Sequence, residues 1–250
     1  MSDRIDIPRT LLRNHGVTAD NARQLGAKFA ETFELLGGLQ GHHTLLDIGC
    51  GPGRMAIGIG ERFGWSNTYV GFDISRGDID FCHKAIGAQH PSFTFVHIDI
   101  KNVHYNPAGV LASTNVEFPV PAGSVDFVFA TSIFTHLFTD EVAHYLCEAA
   151  RALRPGRVLL STWFVLDEEA RTAATAGRAR YAFPHRNADG TTVENLVSPA
   201  DVVAHDIDQI RAMHGAAGLE GVHFVRGDWS RTLPRNTARH SQDIIVGQRA

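Results

Sequence analysis

The segment LLDIGCGPGR, residues 45–54, holds the residues best arranged for chemistry. An apolar run delivers the chain into Gly49-Cys50-Gly51-Pro52-Gly53, where missing β-carbons allow a tight turn and let a ligand lie against the backbone. A helix start is expected there, and its free N–H groups attract anionic atoms. Twenty residues beyond Gly53 stands Asp73, at the end of the next apolar run. A carboxylate in that place can accept both hydroxyls of a ribose. Asp47, two residues before the first glycine, would repel a pyrophosphate but suits an ammonium group. A glycine turn alone is a weak signal, and its position between a strand, a helix and a following acid makes it specific. A dinucleotide oxidoreductase would place its third glycine at residue 54, where this chain has Arg54. The glycines therefore favour another nucleoside cofactor, with the nicotinamide oxidoreductase as the rival reading.

The elements that must hold these groups alternate. Apolar residues recur at helical spacing over 18–36, with Thr18 as N-cap and Gly37-Gly38 as the stop. Strands are expected at 44–48, 68–74, 93–100, 125–131 and 157–165, and helices at 54–63, 75–86 and 140–153. Strands alternating with helices imply an α/β fold with a doubly wound parallel sheet. Residues 101–123 form a connection too long for a tight loop, and residues 167–199 break the rhythm as a lid or insertion. A helix over 200–217 and a hairpin of 222–226 with 243–247 complete the expectation. The division is one domain: an N-terminal helical cap (1–43), a cofactor-binding core (44–166), the lid-like insertion (167–199), and a C-terminal helix and hairpin (200–250).

Composition excludes several classes. The 250 residues are 44% hydrophobic and 20% charged, which suits a globular chain with a sizeable core. The net charge of −4, with no basic run, argues against a nucleic-acid or anionic-lipid partner. No apolar run approaches the roughly 20 residues of a membrane span, and the first ten residues lack a secretory core segment, so a cytoplasmic location is expected. Three widely spaced cysteines, Cys50, Cys82 and Cys147, suggest neither a disulfide framework nor a zinc cluster. The expected partner is a small-molecule acceptor, and a homo-oligomer is compatible with the sequence.

The stretches LLDIGCGPGR, YVGFDIS, FVHIDI, VDFVFATSIFTHL and RALRPGRVLLSTWF together resemble the successive motifs of class I S-adenosylmethionine-dependent methyltransferases. The resemblance runs over about 45–166. It implies a Rossmann-like, doubly wound seven-stranded sheet, mostly parallel with the last strand antiparallel, and S-adenosyl-L-methionine as cofactor. Carried over, Asp47, Gly49 and Gly51 would hold the methionine end, Asp73 the ribose and Asp99 the adenine edge, Ala130 would offer backbone to the amino group, and Gly53, Ile74 and Ile100 would be further cofactor-binding residues. Asp99 has a plainer alternative as a locally bonded strand-end acid. Arg157 departs from the usual glycine, in what reads as a turn.

Methyl transfer to an alcohol needs positioning and a base that removes the proton. His136, after the fourth strand, leads as that base, and filling the start of the next helix is its plainer alternative. His144 is second, with a solvated face as alternative. Small-molecule and sugar O-methyltransferases of this type often place a histidine after strand four and an acid after strand five. Asp167 holds the latter place, and would orient the imidazole or cap the next segment. Tyr105, Trp163, Tyr181 and His185 are candidate walls of the acceptor pocket, each equally able to be core. No metal-ligand spacing stands out. Magnesium would have Asp140, Asp167 and Glu168 as conceivable ligands, and no motif indicates it.

Overall fold

The computed structural model describes residues 4–15, 17–102, 105–234 and 237–250. Two compact units divide the chain, residues 1–129 and 130–250.

The first unit begins with a short helix α1 (Arg9–Asn14) and a long one, α2 (Ala19–Gly37). Thr18 caps α2 by accepting the Asn21 N–H, and Gly38 ends it at φ 65°, both as the sequence predicts. Three parallel strands follow: β1 (Thr44–Ile48), β2 (Thr68–Asp73) and β3 (Phe93–His97), with Asp47 opposite Gly71 and Asp73 opposite His97. Helix α3 (Arg54–Phe63) joins β1 to β2, and α4 (Arg76–Cys82) joins β2 to β3. The expected helix over 75–86 turns π-helical at His83–Gly87. Helices α2 and α3 meet at glycines. A β-carbon on Gly26 would stand 2.3 Å from the Arg54 carbonyl oxygen, so only glycine lets α2 approach the start of α3 this closely. Strand β4 (Val125–Ala130) is wholly buried, and Phe33 of α2 packs on its Phe127 and Phe129. Asp126, at the start of β4, accepts the Thr44 N–H at 3.0 Å.

The second unit carries α5 (Thr139–Ala152), β5 (Leu153–Trp163), β6 (Val165–Leu166), α6 (Glu168–Thr175), β7 (His185–Arg186), β8 (Thr192–Val193), β9 (Val203–Asp206), α7 (Ile207–Ala216), β10 (Leu219–Val225) and β11 (Asp243–Arg249). Strand β11 runs antiparallel to both β5 and β10. The strand order β10-β11-β5-β4-β1-β2-β3 makes the seven-stranded, mostly parallel sheet with an antiparallel last strand that the motifs imply. Among the described residues no helix is long and apolar enough to cross a membrane.

Three expectations change. The helix over 200–217 begins only at Ile207, because Val203 to Asp206 pair as a strand with β6 and β8, and Asp206 then caps α7 through the Asp208 N–H. Residues 167–199 hold α6 and two short strands, which join β6 and β9 in a four-stranded sheet of order β6-β9-β8-β7. Arg157 lies within β5, which starts at Leu153 and takes the Pro-Gly pair into its first residues.

The buried Asp243 carboxylate ties this unit together. It accepts from the Val165 N–H at 2.8 Å, the Gly227 N–H at 2.7 Å and the Trp229 indole at 2.5 Å. Burial pushes its pKa up to about 6 against these bonds. Trp229, 1% exposed, packs against Phe164 and Phe183.

Candidate functional site

In the first unit the end of β1 opens into the glycine turn. Gly49, Gly51 and Gly53 all have positive φ, 73°, 51° and 80°, which an L side chain rarely adopts. The turn is pinned to β2, since the Phe72 carbonyl accepts the Gly49 and Cys50 N–H groups at 2.9 and 3.0 Å. Asp73 closes it from the far side. One carboxylate oxygen accepts the Gly51 N–H and the other the Ser75 N–H, both at 2.8 Å. A carboxylate has about four acceptor positions, so two remain for hydroxyl groups of a ligand. Burial raises the pKa of Asp73, and the two N–H bonds hold it down.

Asp47 is fully buried. The Tyr69 hydroxyl donates to one oxygen at 2.5 Å, and the other oxygen has no partner among the described residues. Burial pushes its pKa up to about 7, with the Tyr69 bond and the Arg54 charge opposing. An unfilled acceptor of that kind fits the ammonium group of S-adenosylmethionine. Sequence reading missed Tyr69. Its signal was Gly71, which faces Asp47 across the strand pair; a β-carbon there would fall 2.9 Å from the Tyr69 ring.

The adenine-side residues are less free. Asp99 accepts from the Asn106 side chain at 2.8 Å, and its carbonyl takes the Val110 and Leu111 N–H groups, so the locally bonded alternative is realised for one oxygen. Ile100 is buried at 3%, and the Ile74 carbonyl accepts from His97 Nε2 at 3.2 Å. Tyr105 is 48% exposed in the loop beyond Asn102.

In the second unit β4 ends at the buried Ala130, and the chain turns through Ser132 at φ 59°. The Ser132 N–H donates to Thr162 Oγ1 at 2.7 Å, and both hydroxyls meet Gln242 Oε1 at 3.0 and 2.7 Å. This bracing keeps a strained residue in place. The turn delivers His136, half-buried, with Nδ1 donating to the Ala200 carbonyl at 3.0 Å. That bond puts the neutral ring's proton on Nδ1 and its lone pair on Nε2.

Asp167 does not orient the imidazole. It caps α6 through the Ala170 N–H and is paired with Arg226, which together hold its pKa low against burial. The sequence could not show that Arg226, 59 residues on, claims this acid. Trp163 is fully buried, donates its indole N–H to Ser161 and packs against Phe134, His205 and His214. It offers no surface to an acceptor, and the core alternative holds for it. Tyr181 lies against Phe164 and Phe183 with the Arg180 guanidinium 5.4 Å from its ring centre, and His185 sits half-buried in β7. His144 lies in α5 with its ring beside Tyr145. No cluster of three or more metal-binding side chains occurs among the described residues.

Known proteins agree with this geometry. A model of the methyltransferase domain matches residues 45–156. The 27-O-demethylrifamycin SV methyltransferase of Amycolatopsis mediterranei (strain S699) is 27% identical over 233 residues, 89% of this chain and 74% of its own. A candidate O-methyltransferase of Nostoc punctiforme PCC 73102 superposes with a TM-score of 0.59 at 13% identity, over 91% of this chain; the chain spans little more than half, 56%, of that one. The 1,6-didemethyltoxoflavin-N1-methyltransferase of Burkholderia thailandensis, solved with 1,6-didemethyltoxoflavin and S-adenosylhomocysteine, gives 0.57 at 13% identity, covering 92% of this chain and 78% of its own. These structures establish a shared fold. Over residues 45–156, from the glycine turn through the strands after it, the chain is similar to the methyltransferase domain family.

Proposed function

We propose that the chain methylates a hydroxyl group of a small molecule, with His136 as the general base and a sugar or glycosylated metabolite as the first acceptor to try. When bound, S-adenosylmethionine supplies a methyl group on a sulfonium that an oxygen nucleophile displaces in line. The chain's residues do the rest. Asp47 takes the ammonium group, the glycine turn leaves room for the amino-acid end, and Asp73 takes the ribose hydroxyls. His136 accepts the acceptor's proton at Nε2 as the new bond forms, and the Ala200 carbonyl stabilises the resulting imidazolium through Nδ1–H.

The bond from Nδ1 to the Ala200 carbonyl carries this reading, because a neutral imidazole that donates at Nδ1 has its lone pair on Nε2. A relative named for a 27-O-demethylated acceptor supports an oxygen nucleophile. The sugar acceptor follows from the likeness to small-molecule and sugar O-methyltransferases with a histidine after strand four; a narrower likeness to the 1-O-methyltransferase of methylmannose polysaccharide synthesis is carried by no single residue. His144 is the reserve base, and Tyr105, Tyr181 and His185 are the acceptor contacts to test. A panel of hydroxylated acceptors with labelled S-adenosylmethionine tests the reaction, and methylation of an amine or carbon in preference to a hydroxyl would replace it.

A further inference from the structure

The residue that ends helix α1, His15, meets the glycine turn, and no motif announces it. The His15 ring lies against Gly51, so close that a β-carbon there would stand 3.2 Å from the ring's Cε1. Its Nε2 donates to a carboxylate oxygen of Asp78 at 2.8 Å. Asp78 belongs to the first turn of α4, is 1% exposed, and keeps its other oxygen buried without a partner. A half-satisfied buried carboxylate weakens a fold, so Asp78 is poorly explained as a stabilising group. It is better explained by what it holds, an imidazole on the second glycine of the turn, which also acts through space on Asp73.

The segment around it, a strap of residues 4–15, is lightly seated. Ile5 and Leu12 are its buried apolar anchors, and a cavity of about 30 Å³ lies beside them, lined also by Asp6, Arg54 and Ile57. A segment with so few anchors opens at low cost.

We propose that His15, held by Asp78, is a positioning residue of the cofactor site, closing the strap of residues 4–15 over the glycine turn and slowing escape of the bound nucleoside. This rests on the turn being the cofactor cradle. The test measures S-adenosylhomocysteine binding and release by calorimetry and stopped-flow fluorescence on the full chain. His15→Ala is expected to speed release about 10- to 100-fold, the equivalent of one hydrogen bond to a charged group, and to lower the thermal stability of the ligand-free protein, since it leaves the buried Asp78 carboxylate without its imidazole partner. His15→Gln, which can still donate to Asp78, is expected to recover most of the slow release. Hydrogen exchange in wild type should show residues 9–15 becoming protected when S-adenosylhomocysteine is added. Unchanged release from folded His15→Ala, or no protection of the strap in a wild-type protein that binds the ligand, overturns the proposal and leaves the cradle standing. Failure of the wild type to bind overturns both.

Discussion

The glycine turn of the first unit and the turn after β4 in the second are built from different materials. The first is held by neighbours in sequence: Gly51 and Ser75 bond to Asp73, and Asp47 to Tyr69, all within 22 residues. The second is held by residues far along the chain, with Gln242 on Ser132 and Ala200 on His136, 110 and 64 residues away. Their buried titratable groups differ too. Burial raises Asp47 and Asp73 beside the glycine turn, whereas in the second unit it lowers His205 and His214, both to about 4. All four are pushed towards neutrality, but the acids lie where a charged ligand can restore their charge and the histidines flank buried Trp163.

Breaking the second turn should give the largest effect. His136→Ala is expected to lower turnover by roughly 10²–10⁴ with S-adenosylhomocysteine affinity intact, read by steady-state kinetics and calorimetry. Loss of cofactor binding instead would assign His136 to the wrong half of the reaction.

The two buried histidines give the next effect, on stability. Each is neutral in the fold with a pKa of about 4 against an ordinary 6.5, so the unfolded chain binds more protons in that window and their contribution is lost as pH falls from about 6.5 to 4. Asp47 and Asp243, raised to about 7 and 6, act with the opposite sign over part of the same range. The clean readout is a difference. Between pH 7 and 4.5, His214→Leu should lose less stability to urea than wild type, by on the order of 2 kcal/mol. Parallel curves would remove His214 from the acid limb.

Asp47 sharpens the contrast at the ligand. Its carboxylate must be ionised to receive an ammonium group, so S-adenosylhomocysteine affinity should fall nearly tenfold from pH 7.5 to 6, with a proton released on binding. Asp47→Asn should bind more weakly with a flat pH profile, and a profile as steep as wild type would place the titration elsewhere.

Asp167 should matter least to turnover. Asp167→Asn is expected to cost about 1 kcal/mol of stability through the weakened cap and the Arg226 pair, with turnover within about threefold of wild type. A loss as large as that of His136→Ala would restore the acid to the catalytic group.

This contrast explains what could be read from the sequence. Strand and helix periodicity placed β1 to β5 and their helices, and the glycine turn with Asp73 announced itself because its bonds are local. Short strands such as Val203 to Asp206 were absorbed into a helix, since four residues carry little periodic signal and their pairing partners lie well away in sequence. Trp163 reads in the sequence as pocket wall or core alike, because an aromatic at a strand end looks the same whether a neighbouring histidine or a ligand covers it. His15 and Asp78, 63 residues apart, gave no signal at all.

The central claim is that the turn from Asp47 to Gly53, closed by Asp73, holds S-adenosylmethionine. Calorimetric titration of S-adenosylhomocysteine into wild type and Asp73→Ala tests it most directly. One site per chain is expected in wild type, weakened on the order of 10²–10³-fold by Asp73→Ala, the loss of about two hydrogen bonds to a charged group. No heat in wild type, or equal affinity in a folded Asp73→Ala, would contradict it.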